Sequence, residues 1–177
     1  MATRQQTQEG STLIEALVAM VVLLAGAMGL GQVFVLGMLQ ASTSQANLIA
    51  REKAREAVES VHTARDTGTI TWDEIRNVGD GGIFIDEAEP LYEAGADGIV
   101  NTLDDDDVAT LETIAPGPDG QVGTEDDVKA HGFTRQILVE DVPGNPNLRQ
   151  VTVTVGFQVG SMRPPPFRLV TFVSAFS

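Results

Sequence analysis

The chain has 177 residues, enough for one domain with a real core and an element at one end, and it is strongly acidic, with 25 Asp and Glu against 11 Lys and Arg. A net charge of −14 repels phosphate backbones and anionic lipid heads, so direct nucleic-acid binding is not expected. No cysteine is present, which excludes disulfides, thiolate metal sites and a cysteine nucleophile, and two histidines exclude a three-histidine zinc centre.

The first segment is short and polar, Met1 to Gly10, with Arg4 against Glu9. From Ala16 to Leu39 no charged residue occurs, and at 1.5 Å per residue this run spans a hydrocarbon core of roughly 30 Å. The run is too long and its leader too weakly basic for an ordinary secretory signal. Glu15 stands at its edge, where an ionised carboxylate is costly and needs a partner.

Gly10-Ser11-Thr12-Leu13-Ile14-Glu15 resembles the processing site of type IV pilins and type II secretion pseudopilins, whose usual form is Gly-Phe-Thr-Leu-Ile-Glu. The resemblance covers the first quarter of the chain and is closest to a minor pilin. It implies that a prepilin peptidase cuts between Gly10 and Ser11, leaving residues 11–39 as a transmembrane and filament-core helix. Ser11 departs from the family's phenylalanine, the residue that is N-methylated after cleavage. Glu15 matches the family's glutamate. A carboxylate there can neutralise the new α-ammonium of a neighbouring subunit in low dielectric and so select one axial register.

Helix formers continue without proline through 40–66, and Ala50, Ala54, Ala57, Val58 and Val61 fall on one face at spacings of three and four. The other face is charged, and Arg55 and Glu59 form a supporting pair four apart. Gly68 is the expected stop, which makes 12–66 one helix roughly 80 Å long. Gly26, Gly29 and Gly31 read as close-packing positions rather than breaks. Beyond the helix, Thr71 is expected to cap a short helical turn, with Trp72 in the core.

Residues 80–129 hold fifteen acids against the single base Lys129. Within them 95–105 and 117–127 both read Gly-x-Asp-Gly-x-Val-x-Thr-x-Asp-Asp, at an offset of 22. Several carboxylates close in sequence, with glycine to turn the backbone, suit calcium, which takes six to eight oxygen ligands. The pattern resembles short acidic calcium loops of secreted bacterial proteins and lacks the EF-hand start and closing glutamate. The expected ligands are Asp97, Asp104 and Asp105 for one structural ion and Asp119, Asp126 and Asp127 for the other. A solvated acidic loop is the competing reading.

The C-terminal part reads as β structure at Phe133–Asp141, Arg149–Phe157 and Phe167–Phe176, with turn composition at 143–147 and a proline run at 164–166. The expected fold is therefore α+β. A long N-terminal helix covers an antiparallel sheet of three or four strands, with the acidic segment inserted between them.

As expected domains, 1–10 is a leader, 11–39 the membrane helix, 40–68 its amphipathic half and 69–177 the head, with the acidic loop at 80–130 and the sheet at 133–177. The expected function is a non-enzymatic filament subunit, because the carboxylates sit in a loop without a nucleophile while His62 and His131 lie on a helix and before a strand. Its partners are other subunits, the prepilin peptidase, the inner-membrane assembly machinery and lipid. Its location is the inner membrane as a single-pass protein, then an extracellular or periplasmic filament. The alternatives are a pseudopilin, or a membrane-anchored calcium-binding protein that does not polymerise.

Overall fold

A computed structural model describes residues 9–105 and 110–176. The chain divides into two units, 1–42 and 43–177. One helix, α1 (Glu9–Asp66), supplies the described part of the first unit and opens the second.

In the first unit α1 runs unbroken through Gly26, Gly29 and Gly31, and a Cβ built at any of them meets nothing within 4 Å. Its apolar side chains from Leu13 to Met38 are exposed on every side. The most apolar window has mean hydropathy 2.4 with none of it buried, so this helix is long and apolar enough to cross a membrane.

The second unit is an α+β head. Ala46, Ala50, Ala54, Ala57, Val61 and Ala64 form the buried stripe of α1, longer at both ends than the alanine spacing predicts. It lies in one core with inward-facing residues of a four-stranded antiparallel sheet of order β1-β4-β5-β6. These strands are β1 (Glu89–Pro90), β4 (Phe133–Val142), β5 (Asn145–Phe157) and β6 (Phe167–Ser174). Ile137, Val139, Val151, Val153 and Val155 alternate inward, as a half-buried sheet requires. A second sheet pairs β2 (Thr113–Ala115) with β3 (Val128–Lys129).

The helix stops where glycine permits: Gly68 takes φ +73° and donates to the Arg65 carbonyl, and Thr69 and Ile70 both donate to the Ala64 carbonyl. Thr71 opens the short turn expected there, with the Glu74 N–H donating to the Thr71 carbonyl at 3.2 Å and the Ile75 N–H to the Trp72 carbonyl at 3.3 Å. Glu74 reaches back with its carboxylate to accept from the Thr71 N–H at 2.7 Å and hydroxyl at 2.8 Å, and a short 3-10 helix, Val78–Asp80, follows. The β4–β5 connection is tighter than 143–147, because Pro143 and Gly144 (φ +80°) close it in two residues.

Small residues on α1 let helix and sheet approach closely, so added volume there has nowhere to go. Ala57→Leu is expected to cost about 1–3 kcal/mol by overpacking, read as a lowered urea midpoint with unchanged slope.

Candidate duplicated loop and its buried ionic anchor

The two acidic stretches adopt the same loop, bond for bond. In the first, the Asp105 carboxylate accepts from the N–H groups of Gly95 (3.0 Å), Asn101 (2.5 Å) and Thr102 (3.3 Å). In the second, Asp127 accepts from Gly117 (3.3 Å), Gly123 (2.6 Å) and Thr124 (3.2 Å). Asp97 and Asp119 each accept from the N–H two residues on, at 2.8 Å. Asp104 and Asp126 each accept from a threonine hydroxyl, at 2.6 and 2.7 Å, and from the N–H of Asp97 or Asp119.

The invariant positions of the repeat follow from this geometry. Gly98 and Gly120 hold φ near +70°, a left-handed turn that glycine adopts without strain. A Cβ at Gly95 or Gly117 would run into the carboxylate of Asp104 or Asp126.

Burial separates the two copies. Ile99, Asn101 and Thr102 are buried, while their counterparts Gln121 and Gly123 are exposed and Thr124 is half-buried. Burial raises the Asp105 carboxyl above its ordinary value, partly offset by the N–H bonds from Gly95, Asn101 and Thr102 and by the charge of Arg135. Burial likewise raises Asp97, against the bond from Ile99 and with the neighbouring Asp104 charge adding to it. The threonine hydroxyls lower Asp104 and Asp126.

As a cation site, each loop brings together two of its three expected ligands. Asp97 and Asp104 interact with each other and with the Thr102 hydroxyl. Both oxygens of Asp105, and of Asp127, are engaged by backbone N–H groups that already hold the loop closed. Among the described residues no group of three or more acid or histidine side chains is placed to hold a metal ion. Asp106 and Asp107 lie outside the described residues.

Sequence reasoning missed the anchor beneath the first loop. Arg135, 1% exposed on the inward face of β4, donates to Glu112 at 2.7 Å, and Lys53 of α1 meets the other Glu112 oxygen at 3.1 Å. This ties helix, loop and sheet through one carboxylate. Burial pulls Lys53 down, but Glu56 and Glu112 outweigh it and hold its pKa above the ordinary value. Arg149, also 1% exposed, lies over the Trp72 ring at 4.0 Å, donates to the carbonyls of Trp72 and Ile75, and pairs with Asp141 at 3.1 Å. Its charge holds the Asp141 carboxyl below its ordinary value. The readable signal was a charged residue at an inward strand position.

Glu15 is exposed on the apolar half of α1, and Gly10 and Ser11 lie in its first turn. Comparison with family models, curated proteins and solved structures finds no match to this chain.

Removing Glu112 leaves two cations in a largely buried place, so Glu112→Ala is expected to cost about 3–5 kcal/mol in denaturant unfolding. The folded pKa of Lys53 is raised, so the stability it contributes is complete below the ordinary lysine value of about 10.4 and fades as pH rises through the folded value. A Lys53→Met chain should lose that alkaline component of the unfolding curve.

Proposed function

We propose that this chain is a structural subunit of a type IV pilus or related filament, inserted by α1, cleaved after Gly10 and assembled through the same helix. The observation that carries the reading is the apolar half of α1, exposed on every side from Leu13 to Met38 with Glu15 near its start. Such a surface needs lipid before assembly and other apolar helices after it. The fold adds support: a head whose sheet packs on the second half of the same helix leaves the first half free for partners.

A membrane anchor has no use for a carboxylate at that position, whereas a filament gains register from it. After cleavage the α-ammonium of Ser11 would face Glu15 of a neighbouring copy, and each charge would be costly without the other. Glu15→Val is expected to leave membrane insertion intact and to lower recovery in sheared filaments by about tenfold or more, as for a charge left unpaired. Recovery at the native level would sink the filament reading in favour of a plain anchor. The mature N-terminus, read by mass spectrometry, should be Ser11, and the same spectrum reports its methylation. A secretion pseudopilin shares these outcomes and is separated by whether filaments reach the cell surface.

Calcium belongs to this proposal as a structural ion built on the pairs Asp97 with Asp104 and Asp119 with Asp126, in each of which the second carboxylate accepts from the backbone N–H of the first residue and from a threonine hydroxyl. Titration of the full chain in detergent with millimolar calcium should give heat and raise the unfolding temperature. No heat and no shift would leave the loops as backbone-closed turns.

A further inference from the structure

Charge in the head is sorted by position. Residues 80–129 carry fifteen acids, whereas residues 142–177 carry none and hold Arg149, Arg163 and Arg168. Within the head, Lys53, Arg65, Arg76, Lys129, Arg135 and Arg149 all meet carboxylates of their own chain. Arg163 and Arg168 do not: among the described residues they have no ion pair or hydrogen bond, and both are exposed. On α1, Arg51 and Arg55 also have no ion pair among the described residues, and the Arg51 guanidinium lies 5.4 Å from the Phe167 ring centre at the start of β6. In a chain so rich in acid, Arg163 and Arg168, exposed and without partners among the described residues in one C-terminal stretch, are not explained by the fold.

Arg163 and Arg168 flank a groove. On the sheet face turned away from α1, Thr134, Gln136, Thr154 and Gln158 with Arg163 and Pro164 line a hollow of about 540 Å³ that contains no carboxylate. Its floor stays open at Gly156, where a Cβ would stand 2.9 Å from the Thr134 hydroxyl. Arg168 is the cross-strand partner of Thr154 and so stands beside it.

The second acidic loop has the complementary character. Asp119, Glu125 and Asp126 are exposed, Val122 is 72% exposed, and the Glu125 side chain has no hydrogen bond or ion pair among the described residues. Its backbone is held by the bonds to Asp127 and Asp119, so little conformational freedom is lost when it docks.

We infer that the loop Gly117–Asp127 of one copy docks into the Arg163 and Arg168 groove of the next. The two surfaces are different patches of one chain, so the contact is head-to-tail, the kind that builds an open filament where its rotation does not close into a ring. The inference rests on the filament reading for its partner, a second copy, and on charge complementarity for its site.

The chain has no cysteine, so single-cysteine variants report the contact directly. Full chains carrying Gln121→Cys and Gln158→Cys are mixed in detergent micelles with a chelator and oxidised. A disulfide heterodimer is expected, and none when Gln158→Cys is replaced by Thr69→Cys. Exposed ion pairs are each weak, so Arg163→Glu with Arg168→Glu should lower the yield about three- to tenfold. Glu125→Arg on the loop should restore it. Equal yield with the Thr69→Cys control, indifference to the arginine reversals, or failure of Glu125→Arg to restore would each overturn the contact. Native filament yield from chains bearing both reversals would overturn it too. The heterodimer forming while Glu15→Val leaves filament yield unchanged would instead remove the filament reading and keep the contact.

Discussion

The head depends on two guanidinium groups buried at inward positions of its sheet. Arg135 and Arg149 are each 1% exposed, in alternation with the apolar residues that meet α1. A buried charge without a partner costs several kcal/mol, about the margin by which a domain is stable at all. Chain must therefore be brought to each one. Arg149 brings the segment just after the helix, through the Trp72 and Ile75 carbonyls and the Trp72 ring. Arg135 brings Glu112 from the acidic insertion, and Lys53 completes the triad from α1. The long connection between helix and sheet, poor in regular structure, is fastened at both ends by cations that cannot be left alone.

Between those two points a neutral side chain does similar work. Asn77 accepts from the Val139 N–H at 2.7 Å and donates to the Ile137 carbonyl at 2.7 Å, pairing with the β4 backbone as a strand would. This satisfies part of a β4 edge that β1 covers only at Thr134 and Arg135. The duplicated loops follow the same logic on a smaller scale. A carboxylate at the last position gathers three N–H groups of its own loop and holds the backbone closed. The repeat thus encodes a backbone conformation first. The copies then diverge through side chains: isoleucine at 99 enters the core, and glutamine at 121 stays outside.

That divergence gives the insertion two roles within one motif. The first copy belongs to the core and stabilises the head, with Asp105 near Arg135. The second presents carboxylates on a preformed turn. A head that keeps most of its acids on one insertion and has Arg163 and Arg168 beside β6 is polarised, and polarity of that kind suits repeated association in one direction.

Much of this was readable from periodicity alone. The uncharged run from Ala16 to Leu39, the alanine stripe, the stop at Gly68 and the three long strands depend on local spacing, and the sheet appears within a few residues of the expected positions. The offset of 22 announced a repeated loop. What spacing could not reveal is which groups, far apart in the chain, would share a buried place. Nothing near Glu112 in sequence marks it as the partner of Arg135 and Lys53, and nothing near Asp105 shows that its oxygens gather the N–H groups of Gly95, Asn101 and Thr102. Hydrophobic periodicity is a property of neighbours, so the sequence by itself determined the helix, the strands and the existence of the loops. The pairing of buried charges satisfies electrostatics in three dimensions, and only the tertiary structure decided that.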